Sequence, residues 1–174
     1  MMTLGKGIAS GYVPMAAVAM TDDVFDVLST PPNSFFSHYI SWTGHPVAAA
    51  VASKCLDILR DEKIIEHVAD LGRHIADRLT AFKDMPAVGN VRGIGVMAAI
   101  ELVADRKTKT TFPADRNPIP GILDGLKRQG VLISSRGNSL YMCPPLVATT
   151  KDIDRIFDCL TPLVAAVKPL AKAS

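Results

Sequence analysis

Lys6 lies between Gly5 and Gly7, and a second turn signal, Ser10-Gly11, follows it. Glycines on both sides let a backbone bend closely around a bound group. An apolar run from Val13 to Met20 comes next, too short for a globular helix and of the right length for a buried strand. A lysine beside such a strand carries its charge into apolar surroundings. Desolvation disfavours the ammonium form and favours the neutral amine, which is a nucleophile toward carbonyl carbons.

Three readings of Lys6 compete. A phosphate-gripping loop needs a glycine five positions before the Gly-Lys pair and Ser or Thr after the lysine, and here Gly7 follows. A solvated turn lysine is the bland reading of a lone Gly-Lys-Gly. The third reading comes from the wider strings. Thr3-Leu-Gly-Lys-Gly-Ile-Ala-Ser-Gly-Tyr-Val-Pro-Met-Ala-Ala-Val, then Ser41-Trp-Thr-Gly-His-Pro-Val-Ala-Ala-Ala-Val-Ala52, resemble the class III (omega) aminotransferases. Asn90-Val-Arg-Gly-Ile-Gly-Val resembles the string that opens that family's small C-terminal domain.

The resemblance implies a pyridoxal-phosphate enzyme that moves an amino group between an amine or omega-amino acid and a keto acid. Decarboxylating or mutase relatives share the same lysine. It implies Lys6 as the Schiff-base lysine, and as the acid and base that moves the substrate proton. Ser41 falls at the position, usually threonine, that binds the cofactor phosphate across a homodimer interface; a turn or cap serine is the alternative. Trp42 would pack near that phosphate, in a core or at an interface. The family's carboxylate-binding arginine falls at Ser134 when counted from Gly130. Arg136 lies two residues on, and strand alternation lets it take the role; a turn arginine in water is the other reading. Arg92 reads as structural.

The resemblance also implies well under half of a family member: its C-terminal portion, with Met1-Met2 as interior strand residues and the start a truncation or alternative start codon. In the family a glycine-rich phosphate loop, a ring-stacking aromatic and an aspartate for the pyridine nitrogen precede the lysine. None of these is among residues 1–5. The chain alone is therefore expected to bind cofactor weakly and to be a poor transaminase. A non-catalytic fragment that folds, dimerises or binds a partner is the alternative function.

Composition agrees with a globular chain. Of 174 residues, 48% are hydrophobic and 21% charged, and the net charge is +2 from 19 basic and 17 acidic groups. That balance is no footprint for nucleic acid or an anionic membrane. Cys55, Cys143 and Cys159 are odd in number and lack metal-ligand spacing, so reduced, buried thiols in the cytoplasm are expected. Lys6, the apolar run and Ala17-Val18-Ala19 mimic a secretory signal, but Ser10-Gly11 and Pro14 interrupt it. No apolar run approaches the roughly 20 residues of a membrane span.

The elements expected to carry these residues make an α/β fold, the C-terminal part of a fold type I transferase. Residues 1–61 would be a remnant of the cofactor-binding large domain, 62–84 a connecting helix, and 85–174 a small α+β domain. Strands are expected over 3–6 and 13–20, around a Gly7–Gly11 turn. A short helix over 24–28 follows a Thr21 cap, then a loop over 29–34. The conformation of 35–42 is left open. A helix over 46–60 should bury Val47, Ala50, Val51, Cys55, Ile58 and Leu59, with Pro46 in its first turn. A helix over 62–83 repeats Ile64, Val68, Leu71, Ile75, Leu79 and Phe82. Its His67 and His74 are too far apart for an i, i+4 ligand pair, and read as solvated or partly packed. Two strands flank a glycine turn between Asn90 and Val103. The charges of 105–117 read as solvated. A helix over 120–129 stops at Gly130, and a hairpin turns at Arg136-Gly137-Asn138. Thr150-Lys-Asp152 should cap a helix over 153–167, and 168–174 should fray.

Overall fold

The computed structural model describes residues 1–30 and 40–170. The loop over 29–34, most of 35–42 and the last four residues lie largely or wholly outside them. The chain divides into two compact units, Met1–Lys63 and Ile64–Ser174.

In the first unit, strand β1 (Met2–Leu4) pairs antiparallel with β2 (Ala17–Ala19), Met2 opposite Ala19. The expected second strand is shorter than the apolar run. Gly11 takes φ +79, and Pro14 has no N–H for a ladder. Lys6 leaves the strand and opens a 3-10 turn over Lys6–Ala9, closed by Ile8 N–H to Gly5 O at 3.2 Å and Ser10 N–H to Gly7 O at 3.2 Å. Helix α1 spans Asp22–Ser29, with Asp22 and Asp23 in its first turn, where acids favour the positive end. Helix α2 spans Pro46–Asp61 with proline in the first turn. His45 caps it, its Nδ1 accepting from Ala48 N–H at 3.2 Å.

The buried stripe of α2 differs from the expected one. Ala48, Ala52 and Cys55 are buried, and the 3-10 turn packs on this helix through buried Ala9. Val47 stays 59% exposed and Ile58 38%. The turn needs small residues for close approach, so the larger apolar side chains of α2 face outward. Trp42 is also exposed rather than in a core, tilted against His45 with ring centroids 5.5 Å apart.

The second unit is built on an antiparallel sheet in the order β3-β4-β6-β5, formed by β3 (Val88–Ile94), β4 (Met97–Leu102), β5 (Ser134–Arg136) and β6 (Ser139–Met142). Alternation sends Ala98, Ile100, Leu102, Leu140 and Met142 into the core. Three helices fill it: α3 (Ile64–Thr80), α4 (Ile119–Arg128) and α5 (Thr150–Ala165). Leu71, Ile75 and Leu79 of α3 meet Ile153, Phe157 and Leu160 of α5 in one cluster. The helix expected as a connector thus contributes to this core. Phe82 and Phe157 pack tilted, 5.8 Å between centroids. The α5 N-terminus is closed by Thr149, one residue before the expected cap. Asp152 N–H donates to Thr149 Oγ1 at 3.3 Å, and Thr149 N–H donates to Asp152 Oδ2 at 2.8 Å.

His67 and His74 are partly packed, and the exposed Arg106 and Lys109 still find backbone partners. His67 Nε2 lies 2.8 Å from Ala148 O, and His74 Nε2 lies 2.8 Å from Asp154 Oδ1. Arg78 donates to Asp154 and Asp158, with its guanidinium over the Phe157 ring. Arg106 donates to Lys83 O and Lys109 to Gly89 O. The segment expected to fray is held at Leu170, whose N–H donates to Ala104 O at 3.0 Å. Of the three free thiols only Cys55 is buried, Cys143 being exposed and Cys159 half-buried. Cys159 packs at the margin of the core from α5, and Cys143 lies just past the end of β6.

Two outcomes follow from this packing. A Cβ on Gly72 of α3 would stand 2.8 Å from Gly95 Cα and 2.9 Å from its carbonyl carbon and oxygen. Backbone cannot yield as a side chain does. Gly72→Ala is therefore expected to lose about 1–3 kcal/mol by overpacking, exceeding the ~1 kcal/mol gained in helix propensity. Urea unfolding of Gly72→Ala checks this. Second, the Asp154 carboxyl is held below the usual carboxylate range, by its hydrogen bond to His74 first and by the nearby Arg78 charge as well. A depressed carboxylate stabilises the fold above its unfolded pKa, about 4, and loses that contribution as pH falls through the folded value. Asp154→Asn should have a lower urea midpoint than the parent at pH 7, and the gap should narrow as pH falls below about 4. A gap independent of pH would contradict the charge assignment.

Candidate functional site

Lys6 takes φ +48, in the left-handed region that a non-glycine residue enters only at a cost of about 1–3 kcal/mol. Ser10, at φ +47, repeats the strain four residues on. The turn between them is held from below by buried Ala9, which anchors it on α2. This places the Lys6 side chain on the exposed side, where its ammonium has no hydrogen bond or ion pair among the described residues. The apolar surroundings expected for it are absent there. The apolar run over 13–20 expected to supply them forms a strand only at Ala17–Ala19.

The flanking glycines sharpen the picture. Gly5 has φ −165, an extended conformation open to any residue. A Cβ built on Gly5 or Gly7 would meet no atom within 4 Å. Among the described residues nothing packs closely enough to require glycine at either position, and the space above both is open.

Ser41 lies in the same unit, in the turn 41–44 that leads through Gly44, φ +72, into the His45 cap of α2. It is exposed, and its hydroxyl has no hydrogen bond among the described residues. The cap role belongs to His45, so Ser41 is a turn serine with a free donor.

Arg136 lies in the other unit, at the end of edge strand β5, opposite Ser139. Register places Ser134 and Arg136 on one face with Tyr141, away from the buried Leu140 side. Asn138, which sequence reading took only as a turn residue, clamps the hairpin. Its Nδ2 donates to Glu101 Oε1 at 3.0 Å and to Leu102 O at 3.2 Å, and its own carbonyl accepts from Leu102 N–H at 2.8 Å. Arg92 pairs with Glu101 at 3.3 Å, as its structural reading implies. Arg136 is exposed and has no such partner among the described residues.

Among the described residues the first unit thus offers a free primary amine and a free hydroxyl, and the second unit, by itself, a free guanidinium. The first two fit a phosphate-bearing aldehyde such as pyridoxal phosphate: the amine for the carbonyl carbon, the hydroxyl for a phosphate oxygen. No cluster of three or more His, Cys, Asp or Glu side chains that could hold a metal ion occurs among the described residues. No described helix is long and apolar enough to cross a membrane.

Comparison with known proteins gives the family. The family model for Aminotransferase class-III matches residues 1–164. Putrescine–pyruvate aminotransferase of Pseudomonas aeruginosa is 37% identical over 172 residues, covering 96% of this chain and 37% of that protein. Mitochondrial gamma aminobutyrate transaminase 1 of Solanum lycopersicum is 30% identical over 158 residues, covering 90% of this chain and 31% of the relative. Among solved structures, a thermostable (S)-enantioselective omega-transaminase from Thermomicrobium roseum superposes with a TM-score of 0.84 at 32% identity, over 94% of this chain and 36% of the other. An omega transaminase from Pseudomonas jessenii in complex with PMP gives 0.84 at 31%, again over 94% and 36%. The chain spans about a third of the length of the relatives it matches. With the family model covering nearly all of its residues and the architecture shared with fold type I transaminases, the chain belongs to the class III aminotransferase family.

Proposed function

We propose that this chain is the C-terminal portion of a pyridoxal-phosphate-dependent aminotransferase. It would move an amino group between an amine or omega-amino acid and a keto acid. The observation that carries the reading is the unpaired amine of Lys6 on a strained, glycine-flanked turn whose open space serves no packing need of the described residues. Strain of that kind is more readily explained by a bound group than by stability.

Bound pyridoxal phosphate would withdraw electrons from the carbon that carries the amino group. Lys6 Nζ would hold the cofactor through its aldehyde carbon and, when free, accept and return the proton of that carbon. Ser41 Oγ would donate to a phosphate oxygen, from the partner subunit of a homodimer. The Arg136 guanidinium would take the substrate carboxylate in two parallel hydrogen bonds. Its hairpin, clamped through Asn138, fixes the base of that side chain. Residues 1–61 would belong to the cofactor-binding domain and 85–174 to the small domain, with 62–84 joining them.

Within this chain Lys6 stays in water, so the described residues supply neither desolvation nor a carboxylate at the pyridine nitrogen. We expect the 174-residue chain alone to bind pyridoxal phosphate weakly. Absorbance titration should show no saturation at micromolar cofactor. Added amine donor and keto acid should give no turnover above that of free cofactor. Stoichiometric, saturable binding at micromolar cofactor, abolished by Lys6→Ala, would show that the chain is self-sufficient and would overturn this expectation.

A further inference from the structure

The second unit carries a groove of about 300 Å³ that takes no part in the site above. It runs between the start of α4 and the end of α5. Its floor is apolar, from Phe112, Ile122, Leu163 and Val167, which are buried or half-buried. Its rim carries two exposed cations, Arg116 and Lys168. Neither side chain has a hydrogen bond or ion pair among the described residues, and none of the described residues lining the groove is acidic. Other arginines in this unit, Arg78, Arg92 and Arg155, find a carboxylate or carbonyl, on Asp154, Glu101 and Gln129 O, while Arg128 and Arg136 have no side-chain partner among the described residues. The groove thus combines an apolar floor with uncompensated positive charge at its edge.

We propose that this groove binds a small organic anion with an apolar body, of the class of medium-chain monocarboxylates. The hydrocarbon would lie over Ile122 and Leu163, and the carboxylate would meet Arg116 and Lys168. Charge complementarity selects the anion. A cation of the same shape would meet two like charges, and a small hydrated anion would leave the floor uncovered. The volume lies at the lower end of the ~300–1,000 Å³ typical of small-molecule sites, which limits the occupant to a short chain or a single ring.

Gly121 gives a clean way to close the groove. It lines the floor in helical conformation, and a Cβ there would meet no atom within 4 Å. A larger side chain should therefore enter the groove without straining α4.

The test uses octanoate, octylammonium and acetate, titrated into the full chain and followed by ¹H–¹⁵N chemical shifts. Octanoate should saturate one site, with the largest shifts at Phe112, Ile122 and Leu163, and bind at least about tenfold more tightly than either control. That factor corresponds to one charge-assisted contact. The double substitution Arg116→Gln with Lys168→Gln should weaken octanoate by about tenfold or more. Gly121→Leu, with circular dichroism confirming the fold, should abolish the shifts. Lys6→Ala should bind octanoate as the parent does, so failure here and failure of the aminotransferase reading are separate results. Equal binding of octanoate and octylammonium would overturn the proposal. So would octanoate shifts centred elsewhere, or unchanged binding in Gly121→Leu.

Discussion

The backbone at Lys6 is the constraint on which the functional half of the molecule depends. A left-handed lysine costs about 1–3 kcal/mol that glycine would avoid, and the chain holds it there with only a short 3-10 turn and one buried alanine on α2. The cost has a geometric consequence. The chain reverses within a few residues, so the amine projects from the exposed side while the turn's underside stays anchored. Small residues on α2 follow from the same requirement. Ala48 and Ala52 let the turn sit close, where Val47 or Ile58 would hold it away.

The second unit solves a different problem, that of fixing a short edge hairpin. β5 has only three residues and a single neighbour, which by itself is a weak support for an arginine. The Asn138 clamp ties the turn to β4, and β4 is in turn backed by α3 and α5 across the aromatic pair. The hydrogen bond of His74 and the ion pair of Arg78 with Asp154 join those two helices at their margin. The Gly72–Gly95 approach brings α3 against the β3–β4 turn. Rigidity at Arg136 is thus assembled from contacts far from it in sequence.

That distribution explains what the sequence made legible. The helical repeat of Leu71, Ile75 and Leu79, the Gly130 stop and the Gly137 turn are local signals, and each marks an element found in the structure. The buried face of α2 was not legible, because large apolar residues lie on its exposed side and the neighbour it meets selects for small ones. The bonds of His67 to Ala148 and His74 to Asp154 cross 81 and 80 residues, beyond any local pattern. The same holds for Leu170 on Ala104. For Lys6 the residue type and its glycine neighbours carried the chemistry, but its exposure depends on how much of the apolar run over 13–20 forms a strand. Ser41 and Arg136 came from the family resemblance; spacing alone gave only a turn serine and a turn arginine.

The most direct measurement is competitive labelling of all the lysines by pyridoxal phosphate, fixed with borohydride and quantified peptide by peptide in the mass spectrometer. With the cofactor in the millimolar range, where weak binding is populated, and with brief exposure, Lys6 should be modified ahead of other exposed lysines such as Lys54 and Lys168, and inorganic phosphate should reduce that preference. Labelling of Lys6 no faster than of Lys54 and Lys168 would contradict its assignment as the cofactor anchor.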